Sequence, residues 1–158
     1  KGAFDGLKMC FIGDGNNMMN SLIVGCLKVG MAVSVACPEG YRPPQEILDF
    51  AGAYDCFELT DDPLTAAKDA DVVITDVWTS MGQEEERAAR EKAFAGYCVD
   101  DRIMAAAKPD AIVQHCLPAH RGEEITEAVF EANAAPIFDE AENRLHAQKA
   151  VMVMLMKD

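Results

Sequence analysis

Short, nearly continuous apolar runs alternate with stretches of helical spacing along the chain, and this alternation limits the possible folds more than any other feature. The runs occupy residues 7–12, 31–36, 55–59, 71–78, 111–116 and 135–139. Such runs are typical of strands buried on both faces, as in parallel sheets covered by helices. The sequence therefore predicts an α/β fold: a doubly wound parallel sheet with helices on both faces, a Rossmann-like three-layer sandwich in a single domain.

Local chemistry supports the boundaries of the predicted helices. Residues 16–30 carry Met19, Ile23 and Leu27 on one helical stripe, and Gly30 ends that stretch. Proline stands near the start of two further helices, at residues 43–53 and 60–70, where its fixed φ suits a first turn. The remaining predicted helices occupy residues 83–94, 99–108, 126–133 and 145–156.

Length and charge narrow the functional class. The 158 residues suffice for one domain with a core, assigned here to residues 1–158. A net charge of −13 argues against nucleic acid and against an anionic membrane surface, because both need clustered Lys and Arg. The longest apolar run, residues 150–156, is too short to cross a membrane. With no CxxC pair and no secretory leader, we expect reduced cysteines and a cytoplasmic location.

Polar residues gather where four of the predicted strands end. In open parallel sheets, ligands bind at the carboxyl ends of the strands, near the point where the strand order reverses. The segments at these ends are GDGNNMMNS, DVWTSMGQE, HCLPAHRGEE and DEAENRLHAQ. We expect residues from all four to lie close together in space.

The first segment allows two interpretations. A Gly-rich turn between a strand and a helix is typical of dinucleotide sites, but Met18 replaces the third glycine and Cys37 stands where an acid is expected. Alternatively, Asn16 and Asn17 at the helix start hold a small carboxylate. One of the two, Asn16 first, could simply be the helix N-cap.

Asp76 and Arg144 each have a structural and a functional interpretation. Asp76 could cap a turn, or its half-buried carboxylate could bind a ligand ammonium. Arg144 could pair with Glu140 or Glu142, or its guanidinium could hold a phosphate or carbonyl oxygen.

Cys116 is the cysteine whose neighbours suggest more than packing. Nearby His115, His120 and Arg121 could stabilise its thiolate. A metal site built from His115, Cys116 and His120 is the alternative, although neighbouring residues of a strand point to opposite faces.

Together the four segments resemble the second half of the ornithine carbamoyltransferases, in the same order and at compatible separations. GDGNN, DVWTSMGQE, HCLPAHRGEE and FDEAENRLHAQKA carry the resemblance, which extends from about Leu7 to the last residue. The related aspartate enzymes have other residues in place of SMG and HCLP, so ornithine is the better match.

The resemblance implies an enzyme that transfers the carbamoyl group of carbamoyl phosphate to the δ-amine of L-ornithine, giving citrulline and phosphate, without metal or organic cofactor. The ornithine-binding residues that it implies are Asn17, Asp76, Ser80 and Met81. The residues that it places at carbamoyl phosphate are Cys116, Leu117 and Arg144. Among these, Cys116, Asp76 and Arg144 would be catalytic, and the SMG loop would close over ornithine.

The resemblance also implies partners. The family's first half, an N-terminal domain that binds carbamoyl phosphate, has Ser-Thr-Arg-Thr and His-Pro-x-x-Gln segments that these 158 residues lack. We therefore expect the chain alone to be inactive, the whole protein to be a homotrimer, and the apolar stretch 150–156 to pack on the missing domain.

Three alternative functions stay open. They are a nicotinamide-dependent oxidoreductase, a non-catalytic amino-acid-binding module, and a carbamoyltransferase for another amine, such as putrescine.

Overall fold

A parallel sheet of five strands forms the centre of the computed structural model, which describes residues 1–80, 82 and 84–157. The strands are β1 Lys8–Ile12, β2 Ala32–Ala36, β3 Phe57–Thr60, β4 Val72–Thr75 and β5 Ile112–His115. They pair in the order β3-β2-β1-β4-β5, with every neighbouring pair parallel. The predicted α/β class with a parallel sheet is confirmed, although β4 is shorter than the predicted run 71–78.

Seven α-helices connect and follow the strands in the described part of the chain. They are α1 Asn17–Lys28, α2 Gln45–Ala51, α3 Pro63–Ala67, α4 Arg87–Ala93, α5 Asp101–Ala106, α6 Glu127–Ala132 and α7 Ala134–Met156. Short 3₁₀ turns occupy Glu39–Tyr41 and Glu84–Glu86. Side chains of Asn16, Asp62, Asp100 and Thr126 accept hydrogen bonds from backbone N–H groups in the first turns of α1, α3, α5 and α6. These caps fix where each helix begins.

Helices cover both faces of the sheet, because successive strand residues point to opposite sides. On one face Met9 and Phe11 of β1 are buried with residues of α1 and α2. On the other face Cys10 and Ile12 are buried with residues of α3, α5, α6 and the start of α7. The three-layer arrangement predicted from the apolar runs is therefore confirmed.

The last predicted strand, residues 135–139, is wrong: these residues form the first turns of α7. Pro136 stands near the start of that helix, where a missing N–H costs nothing. Ile137 alone is fully buried in this stretch, while Phe138 is exposed, so burial follows a helical stripe rather than a two-sided strand. The Ala- and Glu-rich sequence that follows favours helix and extends it to Met156.

The predicted helix at 145–156 is confirmed as the second half of α7, and its apolar side chains face solvent. Leu155 is 81% exposed and Met154 is 77% exposed. In the described part of the chain, no helix combines the length and apolar character needed to cross a membrane.

The strand order reverses beside β1. From β1 the chain proceeds outward to β2 and β3, then returns to β4 on the opposite side of β1. The loops that follow β1 and β4 consequently diverge at the carboxyl edge and leave a crevice between them. This crevice is the place where the sequence predicts a ligand.

Candidate active site

A cleft of about 440 Å³ opens at the carboxyl ends of β1, β4 and β5. It brings together six of the residues predicted from the sequence. These are Asn17, Asp76, Ser80, Cys116, Leu117 and Arg144. Met81, the seventh, lies outside the described residues. A larger groove of about 590 Å³, lined mainly by apolar residues around Phe4 and Leu22, lies away from this edge.

Asn16 connects the loop after β1 with the end of β4. Its side-chain oxygen accepts hydrogen bonds from the backbone N–H groups of Met18 (2.9 Å) and Met19 (3.2 Å) and so caps α1. Its Nδ2 donates to Asp76 Oδ2 at 3.0 Å. Asn16 is thus the N-cap that the sequence allowed, and its neighbour Asn17 is left at the cleft with an exposed side chain.

Asp76 is more buried than predicted, with 7% of its surface exposed. Its Oδ1 accepts a hydrogen bond from the Val77 backbone N–H at 2.8 Å and faces Cys116 Sγ at 3.2 Å. Every one of these partners is neutral, and no cation among the described residues forms an ion pair with Asp76. A buried carboxylate without a counter-charge favours a cationic ligand.

The prediction of a Cys116 thiolate is wrong. Burial, and then the carboxylate of Asp76, raise the pKa of Cys116 to about 12, and Arg144 offsets this only in part. The thiol therefore keeps its proton at neutral pH and donates it to Asp76 Oδ1. The sequence showed the positive neighbours of Cys116 but not the carboxylate that the fold places beside it.

Buried His115 and Glu124 support the loop that carries Leu117. His115 Nδ1 accepts a hydrogen bond from the Leu117 backbone N–H at 2.9 Å, so its Nε2 carries the proton that faces Glu124 Oε1 at 3.1 Å. The same carboxylate oxygen accepts from the His120 backbone N–H at 2.6 Å. Leu117 itself has a φ of +55°, a conformation that non-glycine residues rarely adopt. Hydrogen bonds from the Leu117 and His120 N–H groups to these two buried side chains hold this unusual backbone.

The start of α7 adds Glu140 and Arg144 to the site. Glu140 lies near Cys116 and Asp76; its carboxylate helps to raise the pKa of Cys116, and burial raises the pKa of its own carboxyl group. Its Oε2 is buried without a hydrogen-bond partner in the described part of the chain. Arg144, one turn later, forms no ion pair with Glu140 or Glu142 among the described residues and lines the cleft. Its guanidinium is available to an oxygen of a ligand.

Comparison with known families matches this arrangement to a defined domain. The family model described as aspartate/ornithine carbamoyltransferase, Asp/Orn binding domain, matches residues 5–155. The chain belongs to the aspartate/ornithine carbamoyltransferase family.

Individual relatives agree. The chain is 55% identical to an ornithine carbamoyltransferase of Geobacter metallireducens over 99% of its own length and 52% of the relative's. Among solved structures, an ornithine carbamoyltransferase from Pyrococcus furiosus is 48% identical, with a TM-score of 0.88 over 96% of this chain and 50% of the other. The anabolic enzyme from Campylobacter jejuni is 44% identical, with a TM-score of 0.90 over 94% of this chain and 51% of the other. The chain spans about half the length of the relatives it matches.

The structure argues against the dinucleotide-binding alternative, because the groups that would bind a pyrophosphate are already hydrogen-bonded. A pyrophosphate would need the free N–H groups at the start of α1, but the Asn16 side chain already binds those of Met18 and Met19. Gly15 has another reason to be glycine: a Cβ there would lie 2.5 Å from backbone atoms of Arg42 and Pro43. Gly15 therefore serves chain packing, and the φ of +147° at Gly13 requires glycine for the backbone conformation alone.

The metal alternative built from His115, Cys116 and His120 is not assembled among the described residues. Close groupings of ligand atoms instead join Asp76, His115 and Cys116, or His120, Glu123 and Glu124. Both ring nitrogens of His115 are already used within the chain. His115 would have to give up one of these hydrogen bonds in order to bind a metal ion.

Sequence reasoning missed Asn16 as a partner of Asp76, Glu124 as a partner of His115, and Glu140 as a neighbour of Cys116. Residues 123 and 124 are both Glu, and nothing local shows that the second is fully buried while the first is partly exposed. The sequence suggests Glu140 only as a partner of Arg144, because a strand at residues 135–139 gives no reason to place it beside Cys116. A helix from residue 134 places positions 137, 140, 141 and 144 on one side, and this pattern would have indicated that Glu140 faces the site together with Arg144.

The raised pKa of Cys116 predicts low reactivity toward iodoacetamide. With a pKa of about 12, the thiolate fraction at pH 8 is on the order of 10⁻⁴, and it grows only as the pH rises further. We expect Cys116 to be alkylated at least roughly tenfold more slowly than exposed Cys56, measured by mass spectrometry of digested protein. Equal rates at pH 8 would contradict a protonated, buried thiol.

Proposed function

We propose that this chain is the ornithine-binding part of an enzyme that transfers the carbamoyl group of carbamoyl phosphate to the δ-amine of L-ornithine. The products are L-citrulline and phosphate. Buried Asp76, which lines the cleft without a cationic partner among the described residues, is the observation that carries the proposal. Similarity to ornithine carbamoyltransferases over nearly the whole chain supports it.

Ornithine needs a carboxylate for its δ-ammonium and donors for its α-carboxylate. Asp76 is the proposed partner of the δ-nitrogen, and Asn17, whose exposed side chain also lines the cleft, is the proposed donor to the carboxylate. Ser80 and Met81 are the further proposed contacts, on the segment that follows β4.

Transfer requires that the δ-ammonium lose one proton before its lone pair attacks the carbamoyl carbon. Asp76 is the proposed acceptor of that proton, and the Cys116 thiol holds the carboxylate in place. The tetrahedral intermediate places negative charge on the carbamoyl oxygen, which Arg144 and the loop at Leu117 are proposed to stabilise. Phosphate then leaves, and a cleft that excludes water would protect the carbamoyl group. The scheme uses no metal or organic cofactor.

Carbamoyl phosphate binding is proposed to depend on a further domain. The described chain offers Arg144 for the phosphate or carbonyl oxygens, and the relatives it matches are about twice as long. We therefore propose an N-terminal carbamoyl-phosphate domain in the whole protein, a homotrimeric assembly, and no catalysis by the 158-residue chain alone.

Charge and cysteine chemistry bear on the partners and the location. Net charge −13 supports small-molecule substrates rather than nucleic acid, and unpaired cysteines at all six positions support a cytoplasmic location.

The direct test supplies the whole protein with carbamoyl phosphate and, in parallel, ornithine, aspartate or putrescine, and measures the carbamoylated product. We expect citrulline from ornithine and no product from the other two amines. Product from putrescine alone would move the proposal to another amine. No product from any amine, together with tight ornithine binding, would favour a binding module.

The apolar end of α7 gives a second test that concerns the proposed partner domain. If Leu155 packs on that domain, Leu155→Lys in the whole protein removes the stabilisation of about 2 kcal/mol that its burial supplies, and should lower the Tm by about 3 °C. Gln148→Lys, on the exposed first half of the same helix stretch, serves as the control and should change the Tm by less than about 1 °C. Equal Tm values for the two variants would show that the end of α7 is exposed in the whole protein as well.

A further inference from the structure

Buried Arg90 on α4 reaches three separate segments at the carboxyl edge of the sheet. Its Nη1 donates to Asp14 Oδ2 at 2.8 Å and to the Trp78 carbonyl oxygen at 3.0 Å. Its Nε donates to Glu86 Oε2 at 3.1 Å. Trp78 precedes and Glu86 follows the segment that carries Ser80, while Asp14 belongs to the loop after β1.

Aromatic rings hold the guanidinium in this position. The Tyr41 ring centroid lies 4.9 Å from Arg90 Cζ, and Phe94 packs between the rings of Tyr41 and Trp78 at 4.9 and 5.8 Å. Arg90 is 6% exposed, so its hydrogen bonds form in a poorly solvated environment. Burial raises the pKa of Asp14, and the Arg90 guanidinium offsets that rise in part, so the Arg90 charge favours an ionised Asp14.

This cluster lies outside the contacts with substrate proposed above, yet its two ends are the two sides of the cleft. Asp14 is followed by Asn16, which caps α1 and bonds to Asp76, and then by Asn17 at the cleft. Trp78 is followed by Thr79 and Ser80, which also line the cleft. The arginine therefore connects the segments that carry the two sides of the cleft.

We propose that Arg90 is a positioning residue for ornithine recognition: it fixes both ends of the segment between Trp78 and Glu86 and ties them to the loop after β1. The inference rests on the proposed function for the identity of the ligand. A lysine cannot replace this role, because one ammonium lacks the planar fork that serves three acceptors in different directions.

The direction of the effect separates positioning from simple electrostatics. Ornithine carries one net positive charge, so removing the positive charge of Arg90 would, through space alone, favour ornithine binding and lower its KM. Loss of positioning instead separates the two sides of the cleft and raises the KM for ornithine. For Arg90→Gln the two explanations therefore predict changes of opposite sign, whereas for Glu86→Gln only the hydrogen-exchange measurement separates them.

The test compares wild-type whole protein with Arg90→Gln, Glu86→Gln and the control Arg102→Gln, whose ion pair with Asp100 is on the exposed surface. With carbamoyl phosphate saturating, we expect the KM for ornithine to rise at least roughly tenfold in Arg90→Gln and about threefold in Glu86→Gln. The KM for carbamoyl phosphate should stay within about twofold, and Arg102→Gln should match wild type. An unchanged or lower KM for ornithine in both variants would overturn the inference.

Two further measurements, of folding and of amide hydrogen exchange, separate a positioning defect from a failure of the variants to fold. Glu86 is exposed, so Glu86→Gln should fold even where Arg90→Gln does not, and circular dichroism checks both. Amide hydrogen exchange at Ser80 and Gly82 should become at least about fivefold faster in Glu86→Gln without global loss of protection, whatever the substrate proves to be. Unchanged exchange there would overturn the inference, whereas a wild-type enzyme that leaves ornithine uncarbamoylated would overturn the proposed function instead.

Discussion

Replacement of Asp76 by asparagine in the whole protein should lower kcat/KM for ornithine by roughly 100-fold or more. The variant keeps the size and one acceptor oxygen of the side chain but removes the buried negative charge that we propose binds the δ-ammonium. Losing one partner of a desolvated charge pair costs on the order of 3 kcal/mol, which corresponds to about two powers of ten. Steady-state kinetics with ornithine varied at saturating carbamoyl phosphate measures the effect.

Asp139→Asn is the matched control, because Asp139 is an exposed aspartate on α7. It should leave both KM values within about twofold of wild type. The KM for carbamoyl phosphate should also change little in Asp76→Asn. A variant Asp76→Asn with near wild-type kcat/KM would remove Asp76 from its proposed role and with it the main support for an ammonium ligand.

Replacement of Glu124 by alanine should destabilise the protein by about 3 kcal/mol, because it removes the buried acceptor of two hydrogen bonds. The side chains of Glu124 and His115 are both 0% exposed, and the same Glu124 oxygen also binds the His120 backbone N–H. For a domain of this size the Tm should fall by roughly 6–12 °C, as calorimetry of the 158-residue chain would measure.

The neighbouring Glu123→Ala offers a control that differs by one position. Glu123 is 24% exposed and its main partner, Arg87, is 54% exposed, so water screens their ion pair and Glu123→Ala should change the stability far less than Glu124→Ala. Glu124→Gln retains an acceptor oxygen and should lie between the two alanine variants. If Glu123→Ala and Glu124→Ala proved equally stable, the buried network would not hold the loop at Leu117.

Much of the fold could be predicted because a strand that is buried on both faces appears in the sequence as a nearly continuous apolar run. The runs at β1, β2 and β4 contain almost no polar residue, and that pattern admits few arrangements other than a covered parallel sheet. Residues 135–139 were misassigned for the same reason, since a short apolar run at the start of a helix looks identical. Only the single buried position, Ile137, distinguishes the two, and burial is a property of the tertiary structure.

The site was predictable in its location and only partly in its chemistry. Strand ends identify where Asp76 and Cys116 lie, because parallel strands finish at one edge. The ionisation of Cys116 depends first on its burial and then on a carboxylate 40 residues earlier, 3.2 Å away in space, and no local pattern reveals either. Arg90 was equally hidden, as one of several charged residues in a stretch that is exposed on most of its surface.

The central claim is that ornithine binds at the carboxyl edge with its δ-nitrogen on Asp76. A crystal structure of the whole protein with L-ornithine and a phosphonate analogue of carbamoyl phosphate that cannot transfer its carbamoyl group tests it most directly. We predict the δ-nitrogen within hydrogen-bond distance of Asp76 and close to Cys116, and the α-carboxylate at Asn17. Ornithine bound elsewhere, or with its δ-nitrogen pointing away from Asp76, would contradict the account.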